Sequence, residues 1–314
     1  GLTLGKSLNE HGIKDVKTGS MRSFHTEEEF YKELGLPWIP PELREDKGEV
    51  EASIKGKLPK LVELSDINGD LHLHTSYDLK PSHDLGADPL EVYLDKAASF
   101  GYKYIGLSDH NPKTSDQSSQ QIVDIMKRRK DFYEHKYSSW IKKVSNVGMF
   151  IMCEVDIRPD GKLALPEVAF EYVDAIIVAI HSSFTQPKKE ITKRVVAALT
   201  AHPKVRIFGH PTGRLLTKRE GVELDWDKIF GVCKERDIAL EINAYLQRLD
   251  LPDTIVYDAV KAGLKLCINT DSHAAYQMEL LRYGISVARR GWCEKRDIVN
   301  TMDYNRFRNW LLGK

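Results

Sequence analysis

Gly69-Asp70-Leu71-His72-Leu73-His74 is the stretch whose reading decides the fold. It is a short apolar run that ends in two histidines two residues apart. Positions two apart on a strand share a face, so both imidazoles point to the same side. The same design recurs along the chain at Tyr104–His110, Met149–Asp156, Ala175–His181, Val205–His210, Ile238–Asn243 and Leu266–Asp271. These runs are mostly continuous in apolar residues, which suits parallel strands covered on both faces. Stretches of helical period lie between most of them, at Asp88–Phe100, Gln117–Val144, Lys188–Ala201, Asp225–Arg236 and Pro252–Ala262, and a further helix is expected near Lys295–Leu312. Seven βα units in series place the chain in the α/β class, as a barrel or a doubly wound sheet.

Each run ends in a metal-ligand type or another polar group: His72 and His74, Asp109-His110, Glu154 and Asp156, His181, His210, Glu241 and Asn243, then Asp271 and His273. In a barrel of parallel strands these C-terminal ends converge on one face, where active sites lie. A lone histidine or aspartate at a strand end is more often a cap or a core residue. The recurrence on every strand outweighs that reading, since six of the eleven histidines fall at these ends. So many imidazoles and carboxylates in one pocket repel and are poorly solvated without a cation. Divalent ions resolve the conflict, because carboxylates supply charge and neutral imidazoles supply lone pairs. Ligation by His, Asp and Glu without thiolate suits Zn²⁺, Mn²⁺ or Fe²⁺. A metal lowers the pKa of bound water toward roughly 7, and a pair about 3.5–4 Å apart stabilises both oxygens of a displacement, so phosphate esters are the natural substrate.

The rest of the composition sets bounds. The chain has 314 residues, enough for one large α/β domain and a smaller appendage. Basic and acidic residues are equal at 46 each, so net charge gives no sign of a nucleic-acid or membrane-surface binder. The basic run Lys127-Arg128-Arg129-Lys130 on the long second helix is a solvated face or a contact to a DNA backbone. Cys153, Cys233, Cys267 and Cys293 are scattered without a C-x-x-C pair; Cys153 and Cys267 read as buried small hydrophobes. No disulfide framework is expected, which fits a reducing cytoplasm. No run approaches the roughly 18 residues of a membrane span, and no signal peptide opens the sequence. Residues 1 to about 66 are polar and rich in Glu and Lys. Thr26 before Glu27-Glu28-Glu29 has the form of a helix cap, and Pro37, Pro40 and Pro41 break regular structure. This segment reads as an appendage or linker, too short and polar for a good core.

His72-x-His74, Ser108-Asp109-His110, Gly209-His210-Pro211 and Asp271-Ser272-His273 resemble the polymerase-and-histidinol-phosphatase (PHP) superfamily. The likeness is closer still to the C-terminal PHP domain of bacterial and archaeal family X DNA polymerases. It is carried by Gly209–Arg214, Glu241-Ile242-Asn243-Ala244, Arg248-Leu249-Asp250-Leu251, Ile268-Asn269-Thr270-Asp271 and Arg289-Arg290-Gly291-Trp292, and covers about residues 65–314. Leu8–Gly12 resembles the end of the polymerase thumb, and Leu36–Glu45 the link from thumb to PHP domain. The resemblance implies a distorted (βα)₇ TIM-like barrel over residues 67–314 as a PHP metal-dependent phosphoesterase domain. Residues 1–66 would then be thumb end and linker of a family X polymerase-like chain, part of a longer polymerase. It also implies a trinuclear site with nine ligands. Eight carry over directly as His72, His74, His110, Glu154, His181, His210, Asp271 and His273. The ninth is ordinarily an aspartate in a Ser-Asp-Gly turn. This chain departs there, reading Tyr77-Asp78-Leu79-Lys80-Pro81-Ser82-His83-Asp84-Leu85-Gly86. Asp84 is favoured over Asp78 by its spacing to the next helix, and His83 is read as a loop residue.

Other residues carry weaker expectations. Arg214 and Arg248 follow the fifth and sixth strands and either clamp a phosphate bidentately or form surface salt bridges. Asn243 either hydrogen-bonds substrate or caps the next turn. Asp109 is expected to brace a ligand histidine rather than bind metal. The activity implied is a Mn²⁺- or Zn²⁺-dependent 3′-to-5′ exonuclease on DNA, with 3′-phosphatase or abasic-site cleavage as related reactions. Rival readings are a small-molecule phosphomonoesterase of histidinol-phosphatase type and a non-catalytic module that braces a polymerase. Intact ligands oppose the last, and the thumb-like stretches favour DNA over the small molecule.

Overall fold

The computed structural model describes residues 5–142 and 147–314. They divide into two compact units, Gly1–Lys60 and Leu61–Lys314. The smaller holds an antiparallel sheet of β1 (Lys6–Asn9), β2 (Gly12–Asp15) and β3 (Met21–Arg22), then helices α1 (Glu27–Glu33) and α2 (Glu49–Ile54). Thr26 caps α1 as its sequence suggested, accepting from Glu29 N at 3.3 Å. The strands were not legible, because their residues show no alternation of apolar and polar. Few hydrophobics are buried here (Ile13, Ile39 and Leu43), and on the surface Lys6 and Arg22 pair with Glu33, and Arg44 with Glu27. Arg44 grips Glu27 with two hydrogen bonds of 2.8 and 2.7 Å and Trp38 adds a third, holding the Glu27 carboxyl down at about 2.

The larger unit is a single parallel sheet of seven strands in sequential order: β4 (Gly69–Leu73), β5 (Tyr104–Leu107), β6 (Gly148–Asp156), β7 (Ala175–Ala179), β8 (Val205–Phe208), β9 (Ala239–Asn243) and β10 (Leu266–Asn269). Each starts within two residues of the run read from the sequence. Of the two architectures the runs allowed, the sheet takes the barrel. Its seam is between β4 and β10, where backbone pairing is confined to the rim: His74 N donates to Ser272 O at 2.8 Å and Ser272 N to His72 O at 3.1 Å. Below the rim, asparagine side chains stand in for the missing ladder. Asn300 Nδ2 donates to Gly69 O and Ile268 O at 2.9 and 2.6 Å, its Oδ1 accepts from Ile268 N, and Asn269 Oδ1 accepts from Leu71 N. The barrel is therefore nearly closed and distorted at one place.

Helices α3 (Leu90–Ser99), α4 (Ser119–Ile141), α5 (Lys188–Thr200), α6 (Trp226–Arg236), α7 (Asp253–Lys261) and α8 (Leu281–Arg290) follow strands along the chain; β6 is followed instead by a 3₁₀ turn, Glu167–Tyr172. The expected end of the second helix at Val144 lies outside the described residues. Helix α8 was not anticipated, although its buried Leu281, Gly284, Ile285 and Ala288 keep helical spacing. The helix expected over Lys295–Leu312 is only α9 (Tyr304–Leu311), capped by Asp303, because Val299–Thr301 turns inward to supply the seam asparagine. The core has two layers. Outward strand residues such as Ile105, Leu107, Val155 and Val178 pack under the helices, while Leu71, Tyr104, Met152, Ile177, Ile207, Ala239 and Cys267 fill the barrel. Phe307 and Trp310 of α9 plug its lower end, with Phe307 stacked on Tyr104 at 4.0 Å between centroids.

Candidate metal centre

The upper end of the barrel is polar because the inward faces continue two residues further along each strand. Met152 is followed inward by Glu154 and Asp156, Ala239 by Glu241 and Asn243, and Cys267 by Asn269. On β4 a register shift between Asp70 and Leu73 changes the parity, so His72 turns inward although Leu71 does too. His210 and Asp271 follow the ends of β8 and β10 in left-handed backbone at φ 26° and 54°, a conformation that costs a non-glycine residue of order 1–3 kcal/mol. Gly209 before His210 must lack a side chain: a Cβ there would lie 2.7 Å from Ile177 Cγ2 and 3.6 Å from both His72 Cε1 and Glu241 Oε2.

Glu154, fully buried, is the hub. Its Oε2 lies 2.9 Å from His110 Nδ1, 3.2 Å from His72 Nε2 and 3.5 Å from His74 Nε2. Its Oε1 lies 2.8 Å from His210 Nε2 and 3.3 Å from His181 Nε2. Asp271 Oδ1 sits 3.2 Å from His74 Nε2 and 3.6 Å from His72 Nε2, and the His273 ring stacks on His74 at 4.1 Å. Many of these atoms are close yet lack hydrogen-bonding geometry. His72 Nε2, both ring nitrogens of His74, His110 Nδ1, Glu154 Oε2 and His273 Nε2 are buried without a hydrogen-bond partner. Unpartnered lone pairs converging on shared space are costly unless a cation takes them. Groups able to hold an ion are His72, His74, Glu154 and Asp271; His74, His110 and His273; His110, Glu154 and His181; and His83, Asp156 and His181.

Protons show the same demand for positive charge. Burial alone would depress His72, but Glu241, Glu154 and Asp271 outweigh it and hold the ring well above its ordinary value. His181, likewise opposed by burial, is raised to about 9 by Glu154 and Asp156. His74 and His210 go the other way: burial, with neighbouring His273 and His110 in the first case and Arg248 in the second, drives His74 well down and His210 to about 4. Burial would raise Glu154, yet the surrounding imidazoles hold it well below the carboxylate range. A cation held by His72 and His181 would take the place of those protons, since a ligating imidazole is neutral.

The comparisons agree with this geometry. Residues 70–245 match the PHP domain family, and residues 2–45 match the DNA polymerase beta thumb. The chain belongs to the PHP domain family, a metal-dependent phosphoesterase family. It is 34% identical over 303 residues to the DNA polymerase/3′-5′ exonuclease PolX of Bacillus subtilis, covering 94% of this chain and 50% of that protein. The chain thus spans about half the length of that relative. It is also 26% identical to a protein of Clostridium acetobutylicum named "Probable phosphatase", over 66% of this chain and 79% of that one.

The PHP domain brings His72, His74, His110, Glu154, His181, His210, Asp271 and His273 together, and corrects several expectations around them. Asp84, favoured for the ninth position, is exposed and belongs to none of the clusters. Asp78 is exposed too and accepts from Lys80 N at 2.8 Å. It is His83, read as a bystander, that reaches the centre, with Nε2 3.1 Å from Asp156 Oδ1. Asp109 braces no ligand ring. It accepts from Thr75 N at 2.6 Å, fixing the backbone after His74, and is anchored by Arg129 Nε at 2.9 Å and Tyr133 Oη at 2.6 Å. Arg129 is fully buried in that pair, so the basic run on α4 is not one solvated or DNA-facing surface. Arg214 is no clamp in this geometry: its Nε donates to Arg248 O at 2.9 Å and its Nη2 to Leu249 O, so it shapes the loop that presents Arg248. Arg248 does face the centre, with Nε 3.3 Å from Asp271 Oδ2. Asn243 caps the next turn through Tyr245 N and spends its amide on Glu241 and Asp271, at 3.2 and 3.1 Å.

Glu241, read from the sequence as a strand-end acid but given no role there, has one in the structure. Its Oε1 meets His72 Nδ1 at 2.8 Å and Asn269 Nδ2 at 2.9 Å, and its Oε2 accepts from His210 N at 2.7 Å. It fixes the tautomer and tilt of His72, the carboxylate–histidine arrangement that supports metal sites. Its place at the end of β9, two residues before Asn243 on the same inward face, was the available signal.

Proposed function

We propose that this chain hydrolyses phosphodiester bonds at the 3′ ends of DNA, as a divalent-metal-dependent 3′-to-5′ exonuclease. The observation that carries the DNA assignment is the polymerase thumb match at residues 2–45, in the same chain as the histidine–carboxylate cluster. His72, His74, His110, Glu154, His181, His210, Asp271 and His273 would hold Mn²⁺ or Zn²⁺, with Fe²⁺ as an alternative. Bound ions of this kind supply a nucleophilic water near neutral pH and neutralise charge on the phosphate. Glu241 and Asn243 keep His72 and Asp271 aimed, and Arg248 offers its guanidinium to a phosphate oxygen beside Asp271.

The second reading is a phosphomonoesterase acting on a small molecule, supported by the likeness to the C. acetobutylicum protein named a phosphatase. A substrate panel with Mn²⁺ separates the two: labelled single-stranded DNA, 3′-phosphorylated DNA and histidinol phosphate. Exonuclease activity shortens the labelled strand from its 3′ end. Release of phosphate from histidinol phosphate, with both DNA substrates left whole, overturns the proposal in favour of the second reading.

A further inference from the structure

We propose that His83, Asp156 and His181 form a cation subsite at the mouth of the cluster, in which Asp156 supplies the carboxylate that the loop after His74 does not. This rests on the reading of the inner cluster as a metal centre. Ligand atoms of the three residues all lie within 4.8 Å of one another. His83 Nε2 and His181 Nδ1 approach the same Asp156 oxygen at 3.1 and 2.7 Å, and the two imidazole rings are 4.3 Å apart. The His83 ring is also 5.1 Å from that of His110, which ties the loop to the inner ligands.

Asp156 is well placed for the task. It stands two residues beyond Glu154 on β6, so both carboxylates share the inward face. Its backbone N–H is pinned by Asn111 Oδ1 at 2.8 Å. A carboxylate fixed on a strand therefore does what a loop aspartate would do, and the loop needs to bring only a neutral imidazole. Accessibility differs from the inner cluster. The side chains of His83, Asp156 and His181 are 35%, 20% and 10% exposed, whereas those of His72 and Glu154 are fully buried. An ion here exchanges with solvent, keeps water among its ligands, and shares His181 with His110 and Glu154. It fills last and leaves first. Two imidazoles and one carboxylate favour Zn²⁺ over Mn²⁺, since imidazole suits zinc and an all-oxygen set suits manganese.

The competing account is that Asp156 only accepts hydrogen bonds from two imidazoles and His83 binds nothing. The test reads metal content directly. Metal-free wild type, His83→Ala, His83→Gln and Asp84→Ala are titrated with Zn²⁺, desalted and analysed for metal per chain, with circular dichroism to verify the fold. His83→Ala and His83→Gln should each bind one equivalent fewer than wild type, and Asp84→Ala the same number as wild type. Gln keeps a hydrogen bond to Asp156 but is a poor ligand, so undiminished metal in His83→Gln overturns the subsite. An equivalent lost from Asp84→Ala overturns it as well. Wild type that binds no ion sinks the inner metal centre together with this subsite; a fully loaded wild type with unchanged His83 variants sinks the subsite alone.

Discussion

The two ends of the barrel are built by the same strands and do opposite work. At the lower end Met152, Ala239 and Cys267 pack in one hydrophobic cluster with Phe307 and Trp310. Two residues further up the same faces stand Glu154, Glu241 and Asn269, equally buried but polar. Burial stabilises the first set by removing apolar surface from water. It penalises the second, whose charges are tolerated only because each meets an opposite charge, a hydrogen bond or the place of a cation. The lesson is that one period-2 pattern holds the molecule together at one end and stores the means of chemistry at the other.

The sharpest way to break this comparison is at Glu154. Glu154→Gln removes the charge shared by five histidines, so phosphoester hydrolysis should fall to background and bound metal should drop. The circular dichroism spectrum should stay that of wild type, because the packing below is untouched. Near-normal turnover with full metal content would remove Glu154 from the centre.

Next in size is the opposite end. Phe307→Ala empties a fully buried site against Tyr104. A cost of about 3–5 kcal/mol is expected, read as a lower denaturant midpoint. Metal bound per folded chain should be unchanged. Loss of metal at full folding would show that the plug and the rim are not independent.

The smallest effect separates the two arginines. Arg248→Lys keeps the charge but loses the planar fork, and should cost roughly tenfold in kcat/KM, about 1.4 kcal/mol, with metal content intact. Arg214→Lys acts only through the loop that carries Arg248, so its loss should be smaller and should shrink further in the Arg248→Lys background. Independent, additive losses from the two changes would put Arg214 back on the phosphate.

What was legible in the chain follows from how local each signal is. The strand runs, the helix cap at Thr26, and the histidines and acids at strand ends could be read from neighbours in sequence. Alternation and capping involve residues only a few positions apart. The loop after His74 was misread because spacing along a loop does not fix direction. Only the fold turns Asp84 out to water and His83 in toward Asp156.

By itself the sequence determined that seven parallel strands would carry six histidines, with Glu154 and Asp271, to one rim, because a period of two and a run's end are properties of the local chain. Tertiary structure alone decided which polar groups serve the rim and which serve the frame. Glu241 turns to His72, 169 residues away, while Asp109 turns from the rim to Arg129, and Arg214 to the carbonyls of the Arg248 loop. Those choices are hydrogen bonds between segments far apart in sequence. Their partners exist only once the barrel has wound round and met at the seam that Asn269 and Asn300 close.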